Sequence, residues 1–156
     1  NNVRETFLKK IGFDCLKEYK IRQVLSINEI NRMQSSVDFQ SHTVFHPILT
    51  KCDSEKMHME IFTSKSELER ILNNEVYAFA YPNGNYNLRE KKAVKEAGYD
   101  CAVTTESGYN DNNVDRFSLK RFSIFDQAGS DELIVRCSGL WSFFVSFKKK
   151  LFVEET

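Results

Sequence analysis

Short apolar runs and longer one-faced segments take turns along this chain. Val37-Asp38-Phe39-Gln40-Ser41 alternates apolar and polar residues, the period of a half-buried strand. The next segment, DSEKMHMEIFTSKSELERILNN, places Met57, Ile61, Ser64, Leu68 and Leu72 at helical spacing, with Asp53 or Ser54 able to cap its start. Val76 to Ala80 predicts a second strand, stopped by the Pro and Gly of YPNGNYN. Asn87 with Glu90 reads as a capping box opening the helix LREKKAVKEA, and Gly98 stands where a helix C-terminal glycine belongs. Cys101 to Thr104 predicts a third strand before the polar loop TESGYNDNNVD, and Arg121 to Phe125 a fourth. Upstream, FLKKIGF and CLKEYKI are short amphipathic runs, and SINEINRM is a helix capped by Ser26 and Glu29. From Ser130 onward a long closing helix is expected over 130–152.

Strands alternating with helices imply parallel pairing, hence an α/β layered or barrel architecture. Reactive groups in such folds collect at the C-terminal ends of the strands. The loops SHTVFHP, YPNG and TTESG all fall there by topology.

Composition narrows the reading. The chain's 156 residues, 41% hydrophobic and 28% charged, suit one globular domain over 1–156. Lys plus Arg and Asp plus Glu balance at 22 each, so no global field recruits nucleic acid. Cys15, Cys52, Cys101 and Cys137 are too scattered for a zinc finger or a disulfide scaffold; as buried free thiols they lean toward a reducing, cytoplasmic compartment. No run reaches the ~18 apolar residues that a membrane helix needs. The chain opens NNVRET without an initiator Met, which leaves a lost leader or upstream segment open. Near its end Leu140, Trp141, Phe143, Phe144, Val145 and Phe147 precede Lys148 to Lys150. This run is apolar nearly all round, which fits a helix packed on the domain better than membrane contact.

Two of the three histidines, His42 and His46, stand four residues apart just past the first strand. Neutral imidazoles at this spacing can share a divalent ion, although the pair alone fits surface or core histidines as well. YPNG alone fits an ordinary turn.

Taken together, SHTVFHP, a helix with Glu60 near its middle, FAYPNGNY and KEAGYDCAVTT resemble the polysaccharide deacetylase family, carbohydrate esterase family 4, over Ile27 to Phe125. The resemblance implies a partial or distorted (β/α) barrel and metal-dependent hydrolysis of N-acetyl groups on a polysaccharide or oligosaccharide. By motif position His42 and His46 are ligands of a divalent metal, zinc foremost. The Asn83 N–H, where the family usually has Tyr, is the oxyanion donor. Tyr81 lines the sugar groove, and Pro82 and Gly84 shape the turn.

The sequence departs from the family pattern in several places. The aspartate pair that supplies the base and a third ligand has no match before His42, since Asp14, Glu18 and Glu29 end no strand. The C-terminal third has no histidine to serve as general acid, and His58 lies on a helix. Ala80 stands where the family usually has Arg, and Arg121 is either a substitute partner for a carboxylate or a member of a surface ion pair. Two expectations follow: the C-terminal portion of a longer deacetylase lacking its first strands, which the absent Met favours, or an incomplete relative. The competing function is a non-catalytic carbohydrate-binding or structural module of the same fold.

Overall fold

The computed structural model describes residues 2–13 and 24–140. The chain divides into two compact units, Asn1–Val37 and Asp38–Thr156. The first holds α1 (Asn2–Lys10) and α2 (Ile27–Met33). Ser26 caps α2 with the expected reciprocal box, in which the Ser26 N–H donates to the Glu29 carboxylate at 2.8 Å. CLKEYKI lies outside the described residues.

The second unit contains α3 (Ser54–Leu72), β1 (Ala78–Ala80), α4 (Leu88–Glu96), β2 (Cys101–Val103) and α5 (Ser130–Cys137). Single 3-10 turns cover Leu49–Lys51 and Pro82–Gly84. Local chemistry sets the helix ends where the pattern predicts them. The Asp53 side chain accepts from the Lys56 N–H at 2.8 Å, and Asn73 closes α3 at φ +50°. Asn87 and Glu90 form their box, and Gly98 follows α4 at φ +81°.

β1 and β2 pair in parallel, Phe79 opposite Ala102. Single parallel bridges extend this sheet on both sides, Ser41 to Phe79 and Val103 to Leu119. The described residues therefore show four parallel rows and no closed barrel. The expected first strand is reduced to the bridge at Ser41. The expected fourth strand at Arg121–Phe125 is not one; the outer row pairs at Leu119, where polar side chains such as Asn110 also bond the Lys120 backbone.

Phe79 and Ala102 are buried, whereas Ala78, Ala80, Cys101 and Val103 on the other face are half-buried. Over the buried side Met57, Ile61 and Leu72 of α3 join Ala93 and Val94 of α4, with Val76 and Tyr99 completing the core. Stripping water from these apolar side chains is what drives the helices onto the sheet.

The closing helix also differs from expectation. α5 stops at Cys137, because Gly139 adopts φ +79° and breaks the helical run. The remainder of the expected 130–152 helix, from Trp141 on, lies outside the described residues, as does Cys15. Of the thiols expected to be buried, Cys52 and Cys101 are half-buried and Cys137 is exposed; all three are unbridged. Burial raises the Cys101 thiol pKa above its ordinary value. Among the described residues no helix is long and apolar enough to cross a membrane.

Candidate functional site

The histidine loop starts from a strand tip held on three sides. The Ser41 N–H donates to the Ala78 carbonyl at 3.2 Å, the Ala80 N–H donates to the Ser41 carbonyl at 2.9 Å, and the buried Ser41 hydroxyl bonds that of Ser64 on α3 at 2.8 Å. Beyond Ser41 the chain reverses through two left-handed residues, Thr43 at φ +67° and His46 at φ +53°. A residue with a Cβ takes this conformation at a cost, heavier for the β-branched Thr43 than for His46.

Glu60 on α3 bonds the backbone between these two residues. Its side chain is fully buried, and Oε2 accepts from the Val44 N–H at 3.0 Å and the Phe45 N–H at 2.9 Å. The Thr43 hydroxyl accepts the next amide, that of His46, at 3.0 Å. The reversal brings the two imidazoles together, with ring centroids 4.7 Å apart and planes at 70°.

His42 is also fixed about its ring. Nδ1 lies 2.7 Å from the Ala80 carbonyl oxygen. A carbonyl only accepts, so Nδ1 is the donor here, and in the neutral ring the lone pair then lies on Nε2. Metal-binding histidines are held in the same way, one ring nitrogen tied to a fixed acceptor and the other facing the ion. Ala80 stands where the family usually has arginine, and it is the Ala80 backbone that meets His42.

Three residues further on, the proline turn forms the adjoining wall. The Tyr81 N–H continues the sheet by donating to the Val103 carbonyl at 3.2 Å, and the Gly84 N–H closes the turn on the Tyr81 carbonyl at 2.9 Å. Asn83 adopts φ +55° and Gly84 φ +71°. Among the described residues no acceptor takes the Asn83 N–H. The Thr105 hydroxyl donates to the Asn83 carbonyl at 3.4 Å, which links the TTESG loop to the turn. Bonds thus join all three loops in series at the strand ends.

The structure places the other predicted residues less uniformly. Tyr81 is fully buried, its hydroxyl donating to the Phe117 carbonyl at 3.0 Å, and burial raises its phenol pKa well above the ordinary value. Its ring meets Phe79 edge-on and stacks against Tyr86, centroids 4.8 Å apart. Lys91 stands 5.2 Å over the Tyr86 ring and 2.7 Å from an Asp115 oxygen. That hydrogen bond lowers the Asp115 carboxyl pKa. Arg121 is exposed; its N–H donates to the Glu106 carbonyl, and its guanidinium forms no ion pair among the described residues. His58 stacks on Phe62, centroids 5.4 Å apart, on the exposed side of α3.

Among the described residues no group of three His, Cys, Asp or Glu is placed to hold a metal. Two donors of the type a divalent ion takes do lie side by side: an imidazole whose Nδ1 is tied to a carbonyl and a second imidazole beside it. The sequence placed Ser64 on the core face of its helix but gave Ser64, Thr105, Tyr86 and Glu60 no individual role at the site. For Glu60 a signal exists, because an acid interrupts the apolar stripe between Met57 and Ile61.

A sequence model described as polysaccharide deacetylase matches residues 10–102. Among solved structures the chain is similar to the Streptococcus pyogenes deacetylase PplD, determined in complex with acetate. The TM-score is 0.68 at 28% identity, over 85% of this chain and 62% of that one. It is also similar in fold to a Bacillus cereus polysaccharide deacetylase, with a TM-score of 0.67 at 24% identity over 87% and 47% of the two chains. A de-N-acetylase from Aggregatibacter actinomycetemcomitans shares the fold at a TM-score of 0.60 and 14% identity, over 86% and 69%. The chain thus spans less than two thirds of the length of the first two. No curated protein matches it. With its histidine pair, proline turn and parallel strands in place, the chain belongs to the polysaccharide deacetylase family, carbohydrate esterase family 4.

Proposed function

We propose that this chain carries part of the active site of a metal-dependent hydrolase that removes N-acetyl groups from a polysaccharide or oligosaccharide, cleaving a non-peptide carbon–nitrogen bond. The observation that carries the reading is the adjacent pair His42 and His46, with His42 Nδ1 tied to Ala80 three residues before an Asn83 amide that has no acceptor among the described residues. The acetate in the S. pyogenes neighbour supports it, because acetate is the product that N-acetyl hydrolysis releases. The four parallel rows fit an arc of a distorted (β/α) barrel.

His42, through Nε2, and His46 would hold the metal. A bound divalent ion, zinc foremost, would polarise the acetyl carbonyl and acidify water at neutral pH. The chain's own groups orient and stabilise. The Asn83 N–H donates to the acetyl oxygen as negative charge develops there, and a backbone donor held in a tight turn needs little reorganisation to do so. A backbone donor also makes Asn, in place of the usual Tyr, compatible with the role. Pro82 and Gly84 shape the wall. Tyr81 backs the sugar site from inside, with Tyr86 as the outer ring of the stack, and Arg121 is the cation assigned to a carboxylate of the complete site.

Zinc binding tests the assignment. Purified protein is expected to take up zinc weakly, as two imidazoles without a carboxylate should, and His42→Ala or His46→Ala to abolish uptake. Unchanged zinc stoichiometry in either variant rejects the ligand assignment. Acetate release from an N-acetylglucosamine oligomer is expected to be slow and zinc-dependent; release that ignores both zinc and His42 rejects the metal mechanism.

A further inference from the structure

The Glu60 carboxylate is not explained by packing. It lies on the core face of α3 between Met57 and Ile61, where an apolar side chain would continue the stripe, and it is fully buried. Burying a carboxylate is unfavourable unless hydrogen bonds replace its water. Only one oxygen is satisfied: Oε2 takes the Val44 and Phe45 amides, while Oε1 is buried without a partner among the described residues. The two bonds fall inside the segment whose backbone is forced left-handed at both ends, Thr43 and His46. Phe45 projects into solvent, 69% exposed, so side-chain packing does not hold the reversal. One helical turn further along α3, Ser64 holds the Ser41 hydroxyl at the root of the same loop.

We infer that Glu60 is the positioning residue of the histidine pair. Its buried carboxylate locks the Thr43–His46 reversal so that the two imidazoles are held side by side before a cation arrives. This rests on the metal reading above. The functional consequence is preorganisation: without the anchor the loop is free to relax toward ordinary backbone angles, and a cation must then order it on binding.

The test compares Glu60→Met, which keeps volume and removes the acceptor, with Glu60→Gln, which keeps one carbonyl oxygen for both amides. Three readouts serve: backbone amide exchange at Val44 and Phe45, the imidazole resonances of His42 and His46, and zinc affinity by calorimetry. In the unaltered protein both amides should exchange slowly. In E60M they should exchange faster, the imidazole resonances should shift without metal, and zinc affinity should fall ~10–100-fold. E60Q should restore affinity to within a few-fold. A merely structural residue would change the folded fraction but not the zinc affinity of folded protein.

A folded E60M with unchanged affinity and unchanged resonances overturns the proposal. So do Val44 and Phe45 amides that exchange in the unaltered protein as fast as in an unstructured peptide, a measurement that stands even if E60M does not fold. Failure of zinc to move the His42 and His46 resonances of the unaltered protein rejects the metal reading instead, while the exchange data still decide whether Glu60 anchors the loop.

Discussion

Gly84 is the residue on which the proline turn depends. At φ +71° a Cβ would strike the Thr105 hydroxyl and come within 2.8 Å of the Thr105 backbone nitrogen. The hydroxyl belongs to a side chain that can be removed, but the nitrogen belongs to the sheet end and cannot retreat. Gly84→Ala is therefore expected to lower stability by about 1–3 kcal/mol, seen as a shift in denaturant midpoint. Adding Thr105→Ala should recover only part of the loss; full recovery would show that the backbone approach is unimportant. Asn83, at φ +55°, tolerates the left-handed region better than most residues because its short polar side chain suits it.

Among the elements, the start of α4 is stapled to the segment that follows the histidine loop. Glu90 is fully buried; its Oε2 accepts the Asn87 N–H at 2.8 Å and its Oε1 accepts from Arg89 Nε at 2.8 Å. The same guanidinium donates to the Leu49 and Cys52 carbonyls at 3.2 and 3.0 Å. Arg89→Ala removes three acceptors' partner at once and leaves a buried carboxylate with one bond. A loss of about 1–3 kcal/mol is expected. On the same helix the exposed Lys92–Glu96 pair spans 3.6 Å, and Glu96→Ala should change stability by no more than about 0.5 kcal/mol. Equal losses in the two variants, measured by chemical denaturation, would refute this ranking. Both caps of α4 were legible because they rest on contacts three residues apart. The role of Arg89 was not, since its partners Leu49 and Cys52 lie far back in the chain.

For the molecule as a whole, the buried phenols set a response to alkali. Tyr81 and Tyr99 are fully and almost fully buried, and desolvation raises both pKa values above the ordinary 10.0. The folded state therefore holds these protons more tightly than the unfolded state does. Their contribution is fully present below about pH 10 and is lost as pH climbs above it, because the unfolded chain ionises first. Thermal midpoints should hold to about pH 10 and then fall. In Tyr81→Phe the fall relative to the variant's own neutral-pH midpoint should be shallower. An identical alkaline profile would mean that Tyr81 does not titrate with unfolding.

The sequence alone determined α3 and α4, the caps that start them, the parallel α/β order and the residue types available for metal and oxyanion chemistry. Each of these depends on neighbours within a few residues, where period and capping leave a direct imprint. Only the tertiary structure decided that His42 Nδ1 meets Ala80, that Glu60 turns inward to hold Val44 and Phe45, that Tyr81 is buried with its hydroxyl on Phe117, and that the outer row pairs at Leu119 rather than beyond Arg121. Those contacts join residues 15 to 38 positions apart. Which of them form depends on how the helices dock on the sheet, and docking is driven by non-directional apolar burial that fixes no individual polar partner in advance.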